Sequence, residues 1–460
     1  MRIGIFSDTY FPQISGVSTS IKTLRDELTR QGHIVYIFTT TDPASDDEKD
    51  AEQNIIRLRS VPFVSIAERR MVMVGLPTAL QIARHYDLDI IHTQTEFGVG
   101  ILGKIVANRM HIPVVHTLHT KYEDYLHYIA NGHLIRPSMV KYIIRTFLFG
   151  TEGIICPSEM TKEAVVNYGV KIPIRVIPTG IELTRFTRPD ITAADEKKLR
   201  EELGVSADEK LLLSLCRLSQ EKNIQAVIAA MPQILHSVKA KLIIVGDGPY
   251  RDELEELVSS LDLQEAVTFV GAVENDRAVY YYKAADFFIS ASTSETQGLT
   301  FTEAIAAGTP ILAWRNPYLT RVVDDAQFGY LFNSEDDIVP VTVQALTENL
   351  SMNVEKFDKK LYEISSENFG RKVAEFYAFM IENYVPSIER ATDSFKHFGK
   401  RMSGDFKLMG DQISNGFKTQ YEDLRESGLS FVEKFTKYGK IKQEDDAAAS
   451  TSERDSEKKD

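Results

Sequence analysis

Short runs of β-branched and aliphatic residues alternate with amphipathic stretches from the N-terminus to about residue 330. "RIGIFS" (2–7) is followed by "VSTSIKTLRDELTRQG" (17–32), in which Val17, Ile21, Leu24 and Leu28 recur at helical spacing and Gly32 supplies a stop. "HIVYIFTT", "DIIHTQ", "PVVHTLHT" and "GIICPS" each predict a buried strand. Such alternation predicts parallel sheets with helices on both faces. A second series begins after residue 208 with "KLLLSLCRL", "AKLIIVGDG", "AVTFVGAV", "ADFFISAS" and "TPILAW". The charged stretch 184–208 between the two series reads as a connection. The fold class that follows is α/β, two doubly wound Rossmann-like domains facing a cleft. Ligands in such sheets sit beyond the carboxyl ends of the strands.

From about residue 351 the pattern becomes helical. After Pro386, Phe395, Phe406 and Phe417 recur every 11 residues, each followed by Lys, with Gly399 and Gly410 in step. Apolar positions at 395, 398, 402, 406, 409, 413 and 417 form one helical stripe, because an 11-residue period drifts little on an α-helix. The last stretch, 443–460, is poor in large apolar residues and is expected to be disordered.

Composition narrows the function. A chain of 460 residues exceeds one ordinary core, and its net charge of −13 sets up no positive field for nucleic acid. Cys156 and Cys216 lie in separate apolar runs, which predicts unpaired buried thiols in a reducing compartment and no zinc site. The N-terminal apolar run is too short for a signal peptide, and no stretch reaches the ~18–20 apolar residues of a membrane span. Any membrane contact is therefore expected to be peripheral.

The candidate chemistry gathers after predicted strands. "SETQGLTFTEA" sets Glu295 and Glu303 eight positions apart, the first on a loop and the second about one turn into a helix. Ionised carboxylates only accept hydrogen bonds and suit the vicinal hydroxyls of a sugar. Two solvated glutamates, or the acid/base pair of a glycosidase, would also fit that spacing. Gly298 would admit a ligand close to the backbone, and Leu299 and Thr300 open a helix whose amides can meet a phosphate. In "RLSQEKN", Arg217 and Lys222 follow a strand on the same rim and can clamp phosphate oxygens, although a salt bridge to Glu221 is the simpler use. Gly246 in "VGDGP" marks a turn after a strand, and Gly16 in "ISGVSTS" a strand-to-helix junction. Neither belongs to a G-x-G-x-x-G fingerprint, which argues against a dinucleotide dehydrogenase. His119 closes a strand of the first domain, where it is either structural or turned to a substrate hydroxyl. No metal cluster is apparent, and Asp46–Asp47 and Asp324–Asp325 read as solvated loop carboxylates.

Taken in order, E-x7-E, "RLSQEKN", "GDGP", "VIPTGIE" (176–182) and "GVSTSI" resemble the retaining GT-B glycosyltransferases of family 4 over about residues 1–385. "DTYFPQISGVSTSIKTL", "HTQTEFGVG", "HTKYEDYLHYI" and "SASTSETQGLT" are similar, more narrowly, to bacterial diacylglycerol α-glucosyltransferases. The resemblance implies UDP-glucose as donor, diacylglycerol as acceptor, no prosthetic group and no essential metal. It implies that Glu303 holds the ribose, Glu295 and His119 the sugar, and Arg217 and Lys222 the departing diphosphate, with Gly16 against that diphosphate and Gly271 facing the uracil. It also implies an acceptor-side domain at 1–190, a nucleotide-sugar domain at 191–365 and a helix at 366–385 crossing back to the first, whereas the amphipathic tail expected at 386–442 lies outside the shared pattern.

A lipid acceptor requires docking at the inner face of the cell membrane. Arg69 and Arg70 in "IAERRMVMVGL", and Lys121, Tyr122, Tyr125 and Lys141 in the aromatic-basic stretch 121–150, are candidates beside Phe395, Phe406 and Phe417. Basic residues flanking an apolar stripe suit a helix on anionic lipid, whereas packing on the protein or on a second copy is the competing use. The same transfer to a soluble sugar, phosphatidylinositol or an already glucosylated lipid is an alternative. So is a nucleotide-sugar-binding scaffold without activity.

Overall fold

The computed structural model describes residues 1–13, 15–63, 66–72, 76–119, 137–295 and 297–386. The predicted amphipathic tail and polar end therefore lie outside the described residues. Strands β1 (Arg2–Phe6), β2 (Ile34–Thr40) and β3 (Ile55–Leu58) lead into a hairpin of β4 (Ser60–Phe63) and β5 (Ile66–Val72). β6 (Ile90–Thr93), β7 (Val114–Thr117), β8 (Gly153–Cys156) and β9 (Ile174–Val176) complete the first series. β1, β2, β3 and β6 to β9 form one parallel sheet of order β3-β2-β1-β6-β7-β8-β9. β10 (Lys210–Leu215), β11 (Ala240–Val245), β12 (Val267–Gly271), β13 (Phe287–Ser290), β14 (Ile311–Trp314) and β15 (Gly329–Phe332) form a second, of order β12-β11-β10-β13-β14-β15. Both are doubly wound, and in each the strand order reverses beside the first strand.

Burial follows the two-residue period of a strand covered on both faces. Ile3 and Ile5 of β1 meet Ile21, Leu24 and Leu28 of the helix Gly16–Arg30. Phe6, on the opposite face, stacks on Phe38 with ring centroids 4.2 Å apart. In the second sheet Leu211 and Leu213 enter one core cluster while Leu212 enters the other. Each such side chain contributes about 1.5–3 kcal/mol on burial.

Two segments join the sheets and pair where they cross. Ile181 N donates to Ile364 O at 2.9 Å and Ser366 N to Ile181 O at 2.8 Å. The helix Ser366–Glu382 then lies on the first sheet, with Val373, Phe376 and Tyr377 in its core and Tyr377 Oη 2.5 Å from His92 Nδ1. The stretch 184–208, expected as a connection, is itself structured. Its helix Ala193–Glu202, capped by Thr192, buries Leu199 in the second domain's core.

Candidate active site

In a doubly wound sheet, the loops that leave the strands on either side of the order reversal diverge and open a crevice between them. In the second sheet those strands are β10 and β13. The loop after β10 carries Arg217 and, on a short 3-10 turn (Gln220–Lys222), Lys222. The loop after β13 carries Glu295 and ends at Gly298, the N-cap of the helix Leu299–Ala307. The two loops meet, because Lys222 Nζ lies 2.5 Å from Glu295 Oε1, with side chains 25% and 17% exposed. Lys222 pairs with Glu295, while Glu221 accepts from Ser219 Oγ at 2.6 Å. The spacing of the sequence motif could not show this, since the partners are 73 residues apart. Arg217 is exposed on the same rim.

Gly298 has a backbone no other residue adopts easily, φ +71°, and a Cβ there would stand 2.6 Å from the Phe301 ring. Leu299 and Thr300, half-buried, open the helix behind it. Gly246 N donates to Gly271 O at 2.8 Å, which joins the exits of β11 and β12. A Cβ on Gly246 would sit 1.9 Å from Cys216 O, so this glycine lets two rim segments touch. Cys216 is a free thiol that burial pushes up to about 12, and Cys156 is free and buried.

Glu303 projects from the second turn of the helix Leu299–Ala307 and accepts a hydrogen bond from Tyr282 Oη at 2.9 Å. Burial raises its carboxyl above the ordinary value, against the opposing pull of the Tyr282 hydroxyl and the Arg185 guanidinium.

The first sheet reverses its order between β1 and β6. Gly16 starts the helix Gly16–Arg30 behind a Ser15–Ser18 capping box, and the space where its Cβ would stand is open for 4 Å. Asp8, after β1, accepts from Thr95 Oγ1 at 2.6 Å and from Val99 N at 2.9 Å, tying the two diverging loops. His119, half-buried beyond β7, donates from Nε2 to Gln94 Oε1 at 2.7 Å. A carboxamide oxygen only accepts, so this bond leaves His119 Nδ1 as an acceptor. Burial pushes the His119 imidazole down to about 4, despite the nearby Glu96 carboxylate, so it is neutral at pH 7.

The membrane candidates fare unevenly. Arg70 turns onto the neighbouring strand, donating to Ser60 Oγ at 2.9 Å and Ser60 O at 3.1 Å. The residue is half-buried, and these bonds hold its guanidinium within the β4–β5 hairpin. Lys141 is exposed, next to the exposed Tyr142, on the helix Pro137–Leu148. Lys121, Tyr122, Tyr125, Phe395, Phe406, Phe417 and the side chain of Arg69 lie outside the described residues.

Asp46, Asp47 and Asp324 are exposed, as expected of solvated carboxylates, and three of the four aspartates also make local contacts. Asp46 caps the helix Asp47–Glu52, Asp325 caps a 3-10 turn and pairs with Lys356, and Asp324 lies 3.1 Å from Lys360. Among the described residues no group of His, Cys, Asp and Glu is placed to hold a metal ion, and no helix is long and apolar enough to cross a membrane.

Sequence reasoning overlooked Gln94, Tyr282, Gln297 and Asn223. Asn223 adopts φ +51° and donates to Ala291 O at 3.3 Å, bracing the two loops of the second rim. The Lys-Asn pair closing "RLSQEKN" carried that signal, since Asn enters the left-handed region more readily than most residues. The others are uncharged or aromatic, and only their partners, distant in sequence, reveal them.

Two Rossmann-like parallel sheets joined by a crossing segment are the architecture of the GT-B glycosyltransferases. Residues 14–185 match Glycosyltransferase Family 4 and residues 195–360 match Glycosyl transferases group 1. The chain is 53% identical over 378 residues to the alpha-monoglucosyldiacylglycerol synthase of Streptococcus pneumoniae, covering 82% of this chain and 85% of that protein. It is 32% identical to the enzyme of the same name from Acholeplasma laidlawii, covering 80% of this chain and 96% of that protein. The fold is shared with Anabaena HepE, crystallised with UDP, at a TM-score of 0.65 and 18% identity, covering 82% of this chain and all (100%) of that one. WaaG, a glycosyltransferase of lipopolysaccharide biosynthesis, matches at a TM-score of 0.55 and 15% identity over 84% of this chain and 100% of its own. The chain belongs to glycosyltransferase family 4.

Proposed function

We propose that this enzyme transfers glucose from UDP-glucose to the 3-hydroxyl of 1,2-diacylglycerol with retention of the anomeric configuration, giving α-monoglucosyldiacylglycerol. The observation that carries this reading is the 53% identity, over most of both chains, to a protein named for that product. The rim geometry supports it. In the free enzyme Lys222 and Glu295 hold each other. When the donor enters, sugar hydroxyls take over Glu295 and the diphosphate takes over Lys222, so one ion pair is exchanged for two contacts to the ligand.

Glu303 accepts from the ribose, Gly271 faces the base, and Gly16 leaves room for phosphate oxygens. Neutral His119 accepts a sugar hydroxyl on Nδ1. Arg217 and Lys222 stabilise the charge that grows on UDP as the glycosidic bond breaks. Attack by the acceptor hydroxyl on the same face of the sugar retains its configuration, and the proton of that hydroxyl leaves on the departing diphosphate. These fixed cations take the place of an added metal, so transfer is expected to continue in EDTA. Residues 1–190 form the acceptor side and 191–365 the donor side, with 366–385 returning to the first. Lys141 and the tail 386–442, which carries 11 basic against 8 acidic residues between 385 and 442, dock the enzyme on the inner face of the membrane.

The test incubates full-length protein with labelled UDP-glucose and vesicles containing diacylglycerol and anionic lipid. The product is identified by mass and its anomeric configuration by NMR. Absence of glucosyl transfer to diacylglycerol under these conditions overturns the proposal.

A further inference from the structure

Between the two proposed donor-binding glutamates lies a polar side chain that turns away from the crevice. Gln297 is buried, and both ends of its carboxamide are used on a single residue of the segment that joins the two sheets. Thr179 N donates to Gln297 Oε1 at 2.8 Å, and Gln297 Nε2 donates to Thr179 O at 2.6 Å. The same Nε2 lies 3.4 Å from Tyr318 Oη. The partners are 118 residues apart, and the pairing mimics a β-ladder rung with a side chain in place of the second backbone.

Thr179 passes the contact onward. Its buried hydroxyl lies 2.7 Å from Ser20 Oγ, on the helix that begins at Gly16. The loop bearing Glu295 and the helix opening at Gly16 are thus tied through one residue of the crossing segment. The ties are short, buried and matched donor to acceptor, the condition under which hydrogen bonds specify one geometry.

We propose that Gln297 is a positioning residue for the donor site. By clasping the Thr179 backbone it fixes the Glu295–Gly298 loop, and through Thr179 and Ser20 it holds that loop in register with the phosphate-facing helix of the first domain. The proposal rests on the donor reading given above. Displacement of a gripping group by about 1 Å can cost on the order of 100-fold in rate. A loosened loop therefore weakens use of the nucleotide sugar and leaves the lipid acceptor unaffected.

The experiment compares wild type with Gln297→Met, which keeps the volume and loses both bonds, and Gln297→Glu, which still accepts from Thr179 N but no longer donates to Thr179 O. Steady-state rates are measured against UDP-glucose and, separately, against diacylglycerol in anionic vesicles. Gln297→Met is expected to lower kcat/KM for UDP-glucose on the order of 10- to 100-fold through a raised KM, with the acceptor KM unchanged. Gln297→Glu is expected to fall between Gln297→Met and wild type. A merely structural contact would instead reduce the folded fraction, lowering apparent kcat with both KM values constant. Amide hydrogen exchange of the free proteins supplies an independent reading, with faster exchange expected across 293–300 in Gln297→Met. An unchanged KM for UDP-glucose in both variants, or unchanged exchange in that peptide, overturns the proposal. If wild type transfers nothing, the donor reading fails, and the exchange experiment still decides whether the clasp fixes the loop.

Discussion

Replacing Lys222 by Met removes the charge and keeps most of the stem. Two consequences separate cleanly. The Lys222–Glu295 pair is 2.5 Å long, and its side chains are a quarter exposed or less. Exposed pairs contribute ~0–1 kcal/mol and breaking a fully buried one costs about 3–5 kcal/mol, so this partly buried pair should cost about 1–2 kcal/mol. That lowers Tm by about 2–8 °C. The kinetic loss is expected to be larger. Removing a group aimed at developing charge lowers kcat about 100- to 1,000-fold, or ~2.7–4 kcal/mol. Differential scanning calorimetry measures the first effect and product formation from UDP-glucose the second. The double variant Lys222→Met/Glu295→Gln should recover much of the lost stability, because it no longer leaves a carboxylate without its partner, while activity stays low. Coupling of contacting residues is about 0.5–3 kcal/mol, within reach of the calorimetry. A Lys222→Met enzyme with kcat within about threefold of wild type would refute the reasoning, for the lysine would then serve only to hold Glu295.

Glu303→Gln should oppose stability to function. A carboxyl with a raised folded-state pKa loses stability as pH climbs through that value, so the neutral amide, still accepting from Tyr282, is expected to raise Tm at pH 7 while weakening UDP-glucose binding in calorimetric titration. His119 runs the other way. Its folded pKa of about 4 lies below the usual 6.5, so stability is whole above pH 6.5 and falls as pH drops towards 4. His119→Asn should flatten part of that fall in a Tm-versus-pH series, with fully buried His92, also held well below its ordinary value, among the groups that supply the rest. Gly298→Ala forces an alanine to φ +71° against Phe301 and is expected to cost about 1–3 kcal/mol, with loss of transfer, checked by urea unfolding and assay. Deleting 386–460 should leave the Tm of the remainder unchanged and reduce sedimentation with anionic vesicles.

Strand runs such as "KLLLSL" and "ADFFIS" were legible because a strand buried on both faces is apolar almost throughout, a property of the local chain. The motifs were legible as residue types after strands, and the reversal of strand order explains why those positions face a crevice. Three short strands and one hairpin were less legible. β3, β9 and β15 are three- or four-residue strands, and the β4–β5 hairpin contains Pro62, a residue that weakens any strand reading.

Two parallel α/β domains, cations and carboxylates that follow strands of the second, and the family those motifs resemble could all be read from the residues in order. Period and residue type are written along the backbone. Which side chains touch was decided only by the tertiary structure. Lys222 grips Glu295 across 73 residues, Arg70 bonds to Ser60, and Gln297 reaches across 118 residues to Thr179. Such pairings depend on where loops from separate strands converge, and a hydrogen bond or an ion pair acts over about 3 Å of space whatever the distance along the chain.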